Sequence, residues 1–261
     1  MHKFLIAFFI TLLLAPFAGA RAAEVKALIS TAMKTSIEEL VPKFERTTGH
    51  KVMIAYGPTG ALAKRIAGGE TADVVILGGA GIVRDDEGLG LLIKQRKLTG
   101  GNVAIARSMI GAAVAKGAPK PDISSEEKFK AVLLAAKSVA YTDAASGGSS
   151  GVYLGRLFER MGLTEMLRPK AKLAAGGPNG YAATFVAKGE AEIALQPIPE
   201  LMAVPGIDVV GPLPGAFQNV TSYIAKIHAD AKEPAAAKAL IDFLAAPAAA
   251  SVYKSKGLEP G

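Results

Sequence analysis

Two periodicities take turns along this chain. Val25 to Ile29 is a short apolar run broken only by Lys26, the pattern of a strand buried on both faces. Ile37, Leu40, Val41 and Phe44 follow at i, i+3, i+4 and i+7 and predict a helix over 36–44, which Gly49 stops. A strand over 51–56, a helix over 61–67 and a strand over 73–77 continue the scheme. The middle repeats it, with strands over 103–106 and 110–115, a helix over 129–136, a strand over 138–141 and a helix over 152–161. Residues 171–175 read as a possible strand, 184–187 as the end of a helix, and 193–195 as a strand. Gln196-Pro197-Ile198-Pro199 and Val209 to Pro214 read as punctuation, where a chain turns or crosses between lobes. A strand over 223–227 precedes an alanine-rich helix over 234–244, with Ala237, Leu240, Ile241 and Leu244 on one face, and a shorter helix over 248–254. Alternating strands and helices predict an α/β protein, with mostly parallel sheets covered on both faces.

Residues 1–23 do not fit that scheme. Lys3 precedes an apolar run from Phe4 to Leu14, and small residues follow up to Ala23. This is the pattern of a secretory signal peptide, with cleavage expected after Ala20 or Ala22. Losing Lys3 and Arg21 lowers the net charge from +7 to +5. The remaining basic residues are scattered, without a block or interleaved aromatics, so nucleic acid is not an expected partner. A mild positive field suits small anions. The 261 residues include no cysteine, which excludes disulfides and thiolate chemistry. Of the three histidines, His2 lies in the leader, and His50 and His228 are expected at the surface. Neither a metal site nor a cofactor is expected.

The candidate chemistry lies in four small-residue turns, each between a strand and a helix. They are Ser30-Thr31-Ala32, Gly57-Pro58-Thr59-Gly60, Ser146 to Gly151, and Gly176-Gly177-Pro178-Asn179-Gly180. The first turn of a helix has unpaired N–H groups and the positive end of the helix dipole. Small residues let an anion approach, and hydroxyls add donors. Two such turns from each half, facing each other, would clamp an anion without a metal or a lysine. No Gly-Lys-Ser/Thr follows these glycines, so they are not a P-loop. Gly147-Gly148-Ser149-Ser150-Gly151 matches a nucleophile elbow by pattern only, without a histidine in triad order other than His228.

At these turns, and at Gly60 to Ile66, Thr71 to Val74, Tyr141 to Asp143, Phe185 to Ile193 and Ala236 to Leu244, the chain resembles the molybdate/tungstate-binding family. These are periplasmic solute-binding proteins of ABC importers, and the resemblance runs over nearly all of residues 24–259. It implies a two-lobed type II periplasmic binding protein fold with a two-strand hinge. The first lobe would hold residues 24–104 and 204–261, the second 105–203. It also implies a monomer in the periplasm that hands its ligand to an ABC permease.

Carried over by motif, the family's oxyanion contacts fall at Ala32, Thr59, Ser149, Asn179 and Pro197. Thr31, Gly60, Ser150, Gly180 and Gln196 adjoin them. The chain departs from the family at Ala32 and Thr59, where serine is usual, at Asn179, where an apolar residue is usual, and at Pro197, where tyrosine is usual. Gly78 to Arg84 also differs: small residues widen the site, and Arg84 offers a bidentate fork to a carboxylate. The departures favour an organic di- or tricarboxylate over molybdate. The alternative is an exported enzyme on the same scaffold, similar to aconitate isomerases, which interconvert trans- and cis-aconitate. Asp143, Tyr153, Tyr181 and Arg84 are its candidate acid, base and carboxylate-binding groups.

Overall fold

The computed structural model describes residues 22–80, 88–177 and 180–261. Most of the leader, Arg84 and Asn179 lie outside them. β1 (Glu24–Ser30) sends Val25, Ala27 and Ile29 to one face of its sheet and Leu28 to the other. The face on which Val25 lies packs on α1 (Lys34–Thr48), where Ile37, Leu40, Val41 and Phe44 form the buried stripe. Gly49 ends that helix in the left-handed region at φ 76°. β2 (Lys51–Gly57) and β3 (Val74–Ala80) flank β1 in parallel. α2 (Thr59–Ala67) and α3 (Gly88–Lys94) cover the opposite face through Leu62, Ile66, Leu89 and Leu92. The sequence pattern did not register α3.

One strand belongs to two sheets. The expected pair over 103–106 and 110–115 is a single 18-residue strand, β4 (Leu98–Ala115). Between Leu98 and Met109 it pairs antiparallel with β9 (Val220–His228), which in turn pairs with β3. From Ile110 to Ala115 it pairs antiparallel with β7 (Ile193–Pro197) and β8 (Ile207–Pro212). β5 (Val139–Thr142) lies parallel to both β7 and β6 (Ala171–Ala174). Each sheet is thus a parallel set extended by antiparallel long strands.

The second sheet is also covered on both faces. α4 (Glu126–Ala135), α5 (Ser149–Arg160) and α6 (Thr164–Leu167) bury Phe129, Leu133, Leu154, Leu157 and Leu167 on one side. α7 (Ala183–Ala187) and α8 (Ile198–Met202) bury Val186 and Leu201 on the other. α9 (Pro234–Ala245) and α10 (Ala250–Ser255) return to the first core through Leu240, Ile241, Leu244 and Tyr253, and β10 (Glu259–Pro260) pairs with β4.

Two expectations are corrected. Residues 204–213 were expected with the first half, but β8 pairs within the second sheet and Leu213 packs in its core. The strand was hidden because Pro212 and Pro214 read as breakers. They stand at and beyond its end, where no further ladder bond is needed. His228 is not at the surface: it closes β9 at 2% exposure, its Nδ1 accepting from Asp230 N–H at 3.0 Å. Beside it, buried Asp73 accepts from Lys26, Lys232 and Glu233 N–H groups at 2.7–2.9 Å and ties β1 to the start of α9.

Candidate functional site

Strands β1, β2, β5, β6 and β7 all end at one cleft, the usual place for a ligand in an open α/β sheet. Ser30, Thr31 and Ala32 continue from β1, and Pro58 and Thr59 from β2. Facing them are Thr142, Gly148, Ser149 and Ser150 after β5, Gly176 and Gly177 after β6, and Pro197 and Glu200 after β7. Tyr223 on β9 also contributes. The cleft, its opening to solvent included, spans about 340 Å³.

The two walls touch. Gly60 N–H donates to the Gly147 carbonyl at 2.9 Å. A Cβ on Gly60 would stand 2.8 Å from that oxygen, so glycine is needed for the approach. A Cβ on Gly176 would stand 3.2 Å from the Pro58 ring.

The hydroxyls are not equivalent. Thr59 Oγ1 accepts from Gly78 N–H at 3.1 Å and donates to Ser30 Oγ at 3.4 Å, so it is committed to the fold. Thr31 is 3% exposed and its hydroxyl has no partner among the described residues. A buried unpaired hydroxyl costs stability, so one on a residue that lines a cleft points to a ligand. Ser149 and Ser150 open α5, whose first-turn N–H groups lack intrahelical partners. Tyr223 shares a 2.9 Å bond with Ser108, and burial holds its phenol above the usual range.

Glu200 is the one carboxylic acid among the described lining residues, and no lysine or arginine stands there. Burial raises its pKa to about 7, opposed by a hydrogen bond from Gln196. Gln196 is fully buried. Its Oε1 accepts from Ala182 N–H at 2.9 Å and its Nε2 lies 3.5 Å from Thr142 Oγ1. It is therefore committed to the fold and does not line the cleft.

Of the residues singled out in the sequence, Thr31, Ala32, Thr59, Ser149, Ser150 and Pro197 come together in the lining. Gly60 spends its N–H on Gly147, and Gly180 closes its own turn, donating to Gly177 and accepting from Gly176. Arg84 and Asn179 lie outside the described residues. Tyr153 donates to the Phe217 carbonyl at 3.1 Å, and Asp143 accepts from Ala145 N–H at 3.0 Å; neither lines the cleft. Tyr181 stands outside the lining, near enough to Glu200 and Glu38 that they add to the effect of burial in raising its pKa. Sequence reasoning missed Glu200, Thr142 and Tyr223. Glu200 had a signal: it lies three residues past Pro197, in the first turn of a helix that follows a strand.

Comparison with known proteins gives consistent results. The family model described as bacterial extracellular solute-binding protein matches residues 25–259. An aconitate isomerase from Pseudomonas sp is 38% identical over 239 residues, 89% of this chain and 86% of that protein. The molybdate-binding protein ModA of Azotobacter vinelandii is 30% identical over 249 residues, 92% of this chain and 91% of that protein. Among solved structures, the periplasmic molybdate-binding protein of Azotobacter vinelandii superposes with a TM-score of 0.70 at 19% identity, over 91% of this chain and 99% of that one. That likeness establishes the fold, the α/β type II periplasmic binding protein arrangement.

Proposed function

Starting from the fact that the chain belongs to the bacterial extracellular solute-binding proteins, we propose that it captures a small organic carboxylate between its two walls. The observation that carries this reading is the cleft itself, with a free buried hydroxyl at Thr31, the α5 N-terminus opposite, and no metal-binding cluster among the described residues. Hydroxyls and amides suit carboxylate oxygens. In this reading the protein works in the periplasm as a monomer and delivers its ligand to an ABC permease. The lobes divide where β4 and the 213–220 segment pass between the sheets, and closure brings Gly60 onto Gly147. Arg84 and Asn179 remain proposed contacts. Calorimetry with trans-aconitate, citrate, molybdate and sulfate tests the proposal. Binding of the carboxylates tighter than the inorganic anions is expected, and no binding below about millimolar overturns it.

A second reading is favoured by Glu200. An isomerase that moves a proton beside carboxylates needs an acid/base group in reach of a carbon acid, with a pKa near the working pH. Glu200 meets the second condition at about 7 and lies in the cleft. In this reading Glu200 replaces Asp143 and Tyr153 as the acid/base group. Following the absorbance of purified protein with trans-aconitate separates the readings, because a transport component gives no turnover.

A further inference from the structure

Glu200 is an odd member of a site for anions. Every other described lining group is neutral, and most offer a donor or small side chain. An ionised carboxylate whose described neighbours in the cleft include no lysine or arginine would repel the ligand that the donors attract. We infer that capture is proton-linked: Glu200 takes a proton from solvent as the anion enters, donates it as a hydrogen bond, and returns it when the anion leaves. This rests on the capture reading above and extends it by naming the residue that sets when the ligand is held. The balance is simple, one proton and one anion taken up together, without any bond to carbon made or broken.

The surroundings support this assignment. Gln196, held by Ala182 and Thr142, favours the ionised form of Glu200, and burial outweighs it. The titratable groups facing Glu200 are the Tyr181 and Tyr223 phenols, both held protonated well above neutrality. Glu38 on α1 acts on Tyr181 and is itself paired with Lys34 at 3.0 Å. The first-wall turn contributes Thr31, Ala32 and Met33, none of which ionises. Asp208 on β8 is turned away to Gly117 N–H at 2.8 Å, and Arg107 on β4 donates to the Pro260 carbonyl. Among the described lining residues no cation stabilises the ionised form. The raised pKa of Glu200, about 7, agrees.

The test is calorimetry of the mature protein with tricarballylate, a saturated tricarboxylate with no double bond to move. Above neutrality its own carboxyls are all ionised, so the pH dependence belongs to the protein. Affinity is expected to fall by about tenfold per pH unit above the midpoint, and about one proton to be taken up, read from binding heats in two buffers. Glu200→Gln keeps the shape and donor, and should flatten the profile to within about twofold. The buffer comparison on the unaltered protein stands even if the variant folds poorly. A flat wild-type profile without proton uptake overturns the inference, and so does an equal slope in Glu200→Gln. If neither protein binds at any pH, the capture reading falls and takes this inference with it.

Discussion

The two walls of the cleft start from the same local design, a strand ending in small residues before a helix, and use it differently. On the first wall the hydroxyls largely serve the fold: Thr59 joins Gly78 to Ser30, and Thr31 alone keeps an unpaired group. On the second wall, glycines bring helices and turns close, and the wall carries the one ionisable acid, Glu200. The first wall is thus a fixed set of donors, and the second holds the group whose charge depends on pH. Glu200 can therefore be altered without touching Thr31 on the opposite side.

The comparison breaks first if the second wall is lifted from its sheet. Gly151 in α5 lies directly on β5, and an added Cβ would meet the Thr142 backbone carbonyl. Backbone cannot yield as a flexible side chain does. Gly151→Ala is expected to lower stability by about 3 kcal/mol, seen as an earlier denaturant midpoint. Gly60→Ala acts on the contact between the walls and should do the opposite to the free protein. Alanine favours the α2 helix by up to about 1 kcal/mol, while its Cβ obstructs approach to Gly147. Equal or higher thermal stability with affinity reduced by about tenfold is the expected pair of results.

Thr31→Val sharpens the comparison on the first wall. The lost hydrogen bond to a charged ligand is worth about 1.5 kcal/mol, roughly tenfold in affinity. Because the hydroxyl has no protein partner, its removal should raise the melting temperature of the ligand-free protein. A fall in both quantities would show that Thr31 is part of the fold like Thr59.

Much of this arrangement was legible in the sequence, for identifiable reasons. The stripes Ile37-Leu40-Val41-Phe44 and Ala237-Leu240-Ile241-Leu244 define their helices because each buries one face against a sheet. The small-residue turns announced the cleft because anion approach needs little side chain there. Three features were hidden. β4 looked like two strands because Arg107 and Ser108 interrupt its apolar run where its pairing passes from β9 to β7 and β8. β8 was masked by its prolines. Glu200 was passed over because a glutamate in the first turn of a helix is ordinarily a solvated residue that complements the dipole. Only the folding of β7 and α8 against β4 and the 31–33 turn places it in the cleft.

The smallest expected effect isolates Glu200 without any ligand. Its pKa is raised from the ordinary 4.5 to about 7 by burial. In that interval the folded protein holds a proton that the unfolded chain releases, so stability falls as pH rises through it and levels off above. Glutamine mimics the protonated acid. Wild type and Glu200→Gln should therefore melt together near pH 5, and the variant should be more stable near pH 8 by about 1 kcal/mol, since partial solvent access reduces the full effect. Thr31→Val provides the contrast, because neither threonine nor valine titrates and its stability difference should be independent of pH. If Glu200→Gln is the less stable protein at high pH, the ionised carboxylate is being held by partners such as Gln196. The second wall would then be a fixed framework like the first.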